Sequence, residues 1–137
     1  MSRKPIWVVA GALKGSGDRW LMHRRSLEKH HGGLWEFPGG KVESAEIPVK
    51  ALIRELDEEL GITVLAGDCE PVGFAEDRAF DAPNPVVILL YKIARWNGEP
   101  RALEGEGIGW FSPAQVDSLA KPPLDRVLAQ QLFAKER

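Results

Sequence analysis

Three glutamates near the middle of the chain have a spacing that brings their carboxylates together. Glu55, Glu58 and Glu59 lie at i, i+3 and i+4, so a helix would project all three from one edge. Like charges on one edge repel, and no basic residue is expected on that edge to compensate them. Carboxylate oxygens are the ligands that Mg²⁺ and Mn²⁺ prefer. The pattern therefore indicates a divalent cation as counter-charge, although an acidic helical face is also often only solvated.

The helix that must position these glutamates has readable limits. Pro48 suits a first helical position, where its missing N–H leaves nothing unpaired, and Gly61 suits the left-handed residue after a helix end. These signals predict a helix over residues 48–60. Ile47 falls at the N-cap and offers no side-chain acceptor, which costs about 1 kcal/mol relative to a hydroxyl residue. A core-facing apolar stripe with helical period supports the prediction: Val49, Leu52, Ile53, Leu56 and Leu60.

The rest of the chain mixes strand and helix patterns. Residues 6–14 and 20–25 are strand-like and flank a turn signal, which predicts a hairpin. Residues 85–96 form a nearly unbroken apolar run, typical of a central strand that is covered on both faces. A proline-containing loop over residues 79–85 leads into this strand. Strands mixed with two or three helices indicate an α/β domain.

Composition limits the possible partners. A chain of 137 residues, 44% of them hydrophobic, can bury a sizeable core in a single domain. A net charge of −2 and the absence of a Lys/Arg block argue against a nucleic acid polymer or a membrane as partner. The single Cys69 cannot form an internal disulfide, so we expect a cytoplasmic protein. His30 and His31 have no third ligand at metal-site spacing and receive no role.

A longer motif surrounds the three glutamates. Residues 40–62 read GKVESAEIPVKALIRELDEELGI and follow the segment WEFPG at residues 35–39. This stretch resembles the signature of the Nudix hydrolases, and of their MutT branch in particular. The resemblance implies a Nudix-like α/β/α sandwich with a central mixed sheet, as one domain over residues 1–137. The matching positions are Gly40, Glu46, Arg54, Glu55, Leu56, Glu58, Glu59, Gly61 and Ile62.

The resemblance also implies a metal site. It makes Glu58 and Glu59 the main ligands of Mg²⁺, for which Mn²⁺ can substitute. Glu55 becomes a further ligand or the general base, and the Gly39 carbonyl a further ligand. Glu104, in the loop after the turn at residues 96–100, is the matching acid outside the motif and a candidate ligand or base.

Several alternatives stay open for the residues around this site. Glu106 is the fallback for Glu104, and either acid could be a solvated loop residue. Arg54 is expected to hold a glutamate by a charge-assisted hydrogen bond, with Glu46 as its structural partner. Arg54 could also form only an exposed helix pair with Glu58 at i+4.

The substrate side rests on three residues. The resemblance gives Arg25 a contact with the nucleotide and makes Phe37 a wall of the base pocket. MutT enzymes that cleave 8-oxoguanine nucleotides carry an asparagine after a Pro-Pro-x stretch, and Asp125 stands at that place here. An ionised carboxylate only accepts hydrogen bonds, so Asp125 would favour an amino group such as cytosine N4 unless burial keeps it protonated. Alternatively, Asp125 only caps the C-terminal helix.

The function implied by the resemblance is Mg²⁺-dependent hydrolysis of a (deoxy)nucleoside triphosphate to monophosphate and pyrophosphate. An 8-oxo-dGTP or (d)CTP-type substrate would make this a nucleotide-pool sanitising enzyme. One alternative is a nucleotide-sensing domain that binds without cleaving, and another is hydrolysis of a different nucleoside diphosphate derivative. Sensing domains commonly lose acids of the motif, whereas this chain keeps them.

Overall fold

The computed structural model describes residues 4–77 and 83–136. Part of the loop predicted at residues 79–85 lies outside the described residues. The elements in chain order are β1 Ile6–Leu13, β2 Trp20–Arg24, β3 Trp35–Glu36, β4 Gly39–Lys41, α1 Pro48–Leu60, a 3₁₀ turn at Ala66–Asp68, β5 Cys69–Glu76, β6 Val86–Ile93, β7 Gly107–Phe111, α2 Pro113–Ser118 and α3 Pro123–Glu136. None of the described helices is long and apolar enough to cross a bilayer.

The strands form two sheets. The larger has the order β4-β1-β6-β5, in which β1 and β6 run parallel and the other pairs antiparallel. The smaller has the order β3-β2-β7 and is antiparallel. The mixed sheet confirms the predicted fold class. Strand β6 lies inside the larger sheet, as its apolar run predicted. Its two faces are both covered, since Leu90 and Ile93 enter hydrophobic clusters on opposite faces of the sheet.

Two hydrophobic clusters cover the two faces of the larger sheet. Neighbouring residues of β1 point to opposite clusters: Val9 packs with α1, and Ala10 packs with α3. Leu56 of α1 and Leu128 of α3 are fully buried in their respective clusters. The sheet is therefore sandwiched between α1 and α3, and α1 presents its carboxylate edge beside the sheet.

The predicted hairpin between the first two strands is wrong. Strands β1 and β2 belong to different sheets, and a single bridge from Lys14 to Trp20 joins them. Both edges of β1 are occupied by β4 and β6, while β2 pairs with β3 and β7. A turn signal shows that the chain reverses, but the strand partners depend on which faces are buried by distant segments.

Helix α1 has the predicted limits and the predicted caps. Gly61 has a φ of 72° and donates its N–H to the Asp57 carbonyl at 2.9 Å. At the other end, Ile47 makes no side-chain cap hydrogen bond. The first turn of α1 therefore lacks a stabilising contact that a hydroxyl side chain would provide.

We predict that Ile47→Ser raises the free energy of unfolding by about 1 kcal/mol, or about 3 °C in Tm. Ile47 is 63% exposed, so removing its side chain loses little apolar burial. Urea unfolding followed by circular dichroism measures the change. Ile47→Ala is the matched control because it removes the same side chain without adding an acceptor. Equal stability of the Ser and Ala variants would contradict the prediction.

Candidate active site

The carboxylate edge of α1 faces the segment that contains strand β4. Gly40 lies against Glu55 so closely that a Cβ at Gly40 would overlap the Glu55 carboxyl group. The three side chains differ in exposure: Glu58 is 53% exposed, Glu55 17% and Glu59 9%. The edge thus runs from solvent into the protein, and Gly40 provides the space for its middle carboxylate.

Arg54 binds two of the three glutamates, so the expectation of no basic partner on that edge is wrong. Its Nη1 lies 2.9 Å from Glu55 Oε1 and 3.4 Å from Glu58 Oε2. Its Nε and Nη2 donate to both oxygens of Glu46 at 2.8 and 2.9 Å. This pairing lowers the pKa of Glu46 to about 2. The spacing of residues along a helix gives only the direction in which each side chain leaves the backbone. The Arg54 side chain is long enough to reach the carboxylates on the neighbouring edge, so the prediction failed.

Glu59 points away from Arg54 and into the protein. Its Oε1 lies 3.3 Å from His23 Nδ1, and this oxygen is buried without a hydrogen-bond donor among the described residues. Burial raises the pKa of Glu59 to about 7, against a lowering by His23, and the charges of Glu36, Glu55 and Glu104 add to the rise. Glu59 is therefore the carboxylate that gains most from a nearby positive charge.

The loop that contains the two candidate acids is fixed to the end of α1. Leu103 N–H donates to the Glu59 carbonyl at 3.0 Å. Glu104 lies close enough to raise the pKa of both Glu55 and Glu59. The Glu106 side chain instead accepts from Leu27 N–H at 3.3 Å. The geometry therefore favours Glu104 over Glu106 as the acid that joins the motif.

The donor set fits a hard divalent cation. Carboxylates of α1 and of the loop converge, and the buried Glu59 Oε1 has no donor in the described chain. The described residues contain no preformed group of three His, Cys, Asp or Glu ligands. A physical reason is that Arg54 binds Glu55 and Glu58. Arg54 contacts one oxygen of each of these carboxylates, Glu55 Oε1 and Glu58 Oε2.

Asp125 lies in the first turn of α3, beside the segment that leads into the motif. It is 4% exposed, and its Oδ2 accepts from Phe37 N–H at 3.0 Å. Burial and the Glu36 charge raise the pKa of Asp125 to about 7, although the Phe37 N–H, Arg25 and Lys121 lower it. The Asp125 carboxylate thus bonds to the main chain between β3 and β4, and no hydrogen bond from it to its own helix is found among the described residues.

The structure brings Arg25, Phe37 and Asp125 together. Arg25 Nη1 lies 2.8 Å from Glu36 Oε1, and its Nε donates to the His30 carbonyl at 2.8 Å. The Phe37 ring is 3% exposed and packs in the cluster on the α3 side. Its contact with a base, like the nucleotide contact of Arg25, stays a prediction.

Sequence reasoning missed His23 and Glu36. They are cross-strand partners, and His23 Nδ1 lies 3.5 Å from Glu36 Oε2. His23 follows the buried Leu21 by two residues in β2, so both side chains enter the same face. A histidine at a core-facing strand position signals a buried polar group that needs partners. That signal could have identified His23 before its partners were known.

Comparisons with known proteins agree with this geometry. The family profile described as NUDIX domain matches residues 4–132. An 8-oxo-dGTP diphosphatase of Escherichia coli (strain K12) is 30% identical over 132 residues, covering 94% of this chain and 97% of that protein. A CTP pyrophosphohydrolase of the same strain is 31% identical over 132 residues, covering 96% and 93%. The solution structure of the E. coli ORF135 protein has a TM-score of 0.85 at 30% identity, covering 97% of this chain and 91% of that one.

Proposed function

This chain belongs to the Nudix hydrolase family, and on that premise we propose that it hydrolyses a nucleoside triphosphate to the monophosphate and pyrophosphate. The observation that carries the proposal is the buried Glu59 carboxylate, whose pKa burial raises to about 7, while the nearby charges of Glu36, Glu55 and Glu104 add to the rise. A protein without use for this arrangement would gain stability by losing it. The relatives named as an 8-oxo-dGTP diphosphatase and a CTP pyrophosphohydrolase suggest the substrate class.

We assign the cofactor, Mg²⁺ with Mn²⁺ as a substitute, to Glu58 and Glu59 as main ligands. Glu55, Glu104 and the Gly39 carbonyl complete the proposed set. When bound, such a cation neutralises phosphate charge and acidifies the attacking water. Arg54 orients Glu55 and Glu58 by charge-assisted hydrogen bonds. Glu55 and Glu104 are the two candidates for the general base.

The substrate is proposed to lie along the segment from Phe37 to Gly40. Phe37 N–H binds Asp125 at one end, and Gly40 contacts Glu55 at the other. This arrangement would place the base near Asp125 and the phosphates near the acidic edge. Apolar neighbours on the base side are the half-buried Ile88 and Leu124. A single domain over residues 1–137 and a cytoplasmic location complete the proposal.

We predict that hydrolysis cleaves between the first and second phosphates and releases pyrophosphate rather than orthophosphate. Phosphorus NMR of the products from dCTP, 8-oxo-dGTP and the normal deoxynucleoside triphosphates in Mg²⁺ tests this. Chelation with EDTA should stop the reaction because the carboxylates then lack their cation. Direct release of two equivalents of orthophosphate would refute the cleavage position. Binding of these nucleotides without turnover would indicate a sensing domain instead.

A further inference from the structure

The His23 ring contacts both parts of the proposed metal site. It lies in β2, is 4% exposed, and its Nε2 is 2.9 Å from the Glu104 main-chain carbonyl. A carbonyl only accepts hydrogen bonds, so Nε2 must carry a hydrogen. On its other side, Nδ1 faces Glu59 Oε1 at 3.3 Å and Glu36 Oε2 at 3.5 Å. One ring therefore touches the side chain of one proposed ligand and the main chain of another.

The loop around Glu104 is shaped to receive this ring. Gly105 has a φ of 78°, and a Cβ at this position would overlap His23 Nε2 and the Arg24 carbonyl. Glu106 N–H donates to the same Arg24 carbonyl at 2.9 Å. The close approach of loop and strand thus depends on a glycine, and His23 fills the space that this glycine leaves.

The two arginines near the site bind acids other than Glu59. Arg54 binds Glu55 and Glu58, and Arg25 binds Glu36 at 2.8 Å. Within the described part of the chain, His23 provides the only Lys, Arg or His nitrogen within 4.0 Å of the Glu59 carboxylate. His23 Nδ1 and Glu59 Oε1 are both buried, have no hydrogen-bond partner among the described residues, and face each other at 3.3 Å. Two buried polar atoms left in this way are costly in a purely structural core, which points to a use for the arrangement.

We propose that His23 is a positioning residue of the metal site, whose ring holds the Glu59 carboxylate and the Glu104 loop in one arrangement. This inference rests on the proposed function, since it takes Glu59 and Glu104 as ligands of one cation. His23 itself touches neither cation nor nucleotide. Residues that orient metal ligands typically change metal affinity or activity by about 10- to 100-fold when they are replaced.

Two amide variants separate the two contacts of the ring. His23→Asn places an amide nitrogen near the Nδ1 position, facing Glu59, and His23→Gln places one near the Nε2 position, facing the Glu104 carbonyl. His23→Leu keeps bulk and removes both contacts. His30→Leu is the control, because it removes an exposed loop histidine outside the proposed metal site. All variants are compared as full chains.

The first readout is Mn²⁺ binding without nucleotide, measured by electron paramagnetic resonance of the free ion. His23→Leu is expected to weaken Mn²⁺ binding about 10- to 100-fold, whereas Asn and Gln each keep part of the affinity and His30→Leu keeps all of it. The second readout compares kcat and KM for nucleotide hydrolysis at fixed Mg²⁺. In His23→Leu, kcat is expected to fall, while KM stays near the wild-type value because the residues proposed to contact the base are unchanged.

Three results would overturn the proposal. One is wild-type Mn²⁺ affinity in a folded His23→Leu variant. Another is an equal loss of Mn²⁺ affinity in His23→Leu, His23→Asn and His23→Gln, since only the shape of the ring would then matter. The third applies if His23→Leu does not fold: both amide variants then keep wild-type Mn²⁺ affinity and wild-type kcat. Failure of the proposed function would look different: the wild-type protein would bind Mn²⁺ in the first readout and hydrolyse no triphosphate.

Discussion

Glu58→Gln is expected to lower turnover in saturating Mg²⁺ to less than about a tenth of wild type. The neutral amide keeps the shape of the side chain but removes the charge that would hold the cation. Glu58 is the most exposed of the three glutamates, and its 3.4 Å contact with Arg54 is longer than the contacts of that arginine with Glu46 and Glu55. The fold should survive, because α1 loses one of several repelling charges.

Steady-state kinetics with a saturating Mg²⁺ titration measures this effect, and thermal unfolding checks the fold. Glu43→Gln is the matched control: Glu43 is 70% exposed and lies 3.7 Å from Arg54 Nη1, but it is outside the proposed ligand set. The control should keep wild-type turnover. If Glu58→Gln retained more than about a tenth of that turnover, the assignment of Glu58 as a main ligand would be wrong.

Asp125→Asn is expected to shift the preference between 8-oxo-dGTP and dCTP by about 10-fold or more, toward 8-oxo-dGTP. Among the described residues, only Phe37 N–H bonds to the Asp125 carboxylate, and it occupies Oδ2. The second oxygen is therefore the group that would meet a base. In the ionised form this oxygen only accepts, which favours the amino group of cytosine.

The Phe37 N–H also determines how an asparagine must be oriented at this position. The N–H needs an acceptor, so the amide oxygen of the variant binds Phe37 and its NH₂ group faces the ligand. The substitution thus converts an acceptor into a donor without changing size. In the variant, kcat/KM should rise for substrates that present a carbonyl to this group and fall for substrates that present an amino group.

The same argument predicts a pH dependence in the wild-type protein. Asp125 has a pKa of about 7, raised by burial and by Glu36 against Arg25 and Lys121. Below that pKa the carboxyl is protonated and donates, so preference for 8-oxo-dGTP over dCTP should rise as the pH falls from about 8.5 to about 6. The Asn variant should show no such trend. Ratios of kcat/KM measure both effects, and an unchanged ratio in Asp125→Asn would mean that Asp125 does not read the base.

Local signals were sufficient to predict the helix of the motif. Pro48, Gly61 and the apolar stripe act on neighbouring residues, so the limits of α1 agree with the prediction. The pairing of Arg54 with Glu46 was also predicted, because both residues stand in one short motif whose pattern is known from a family. The family itself was predicted by the same stretch and is confirmed by the domain match.

Contacts between distant residues were decided by the tertiary structure. Asp125 and Phe37 are 88 residues apart, and His23 and Glu104 are 81 apart. No local period reports such contacts, because they arise when two hydrophobic clusters bury different faces of one sheet. The burial of Glu59 has the same origin: the helix places its carboxylate, but the packing of β2 and the loop removes water from it. The motif residues were thus readable from the sequence, whereas their charges, partners and exposure depended on long-range packing.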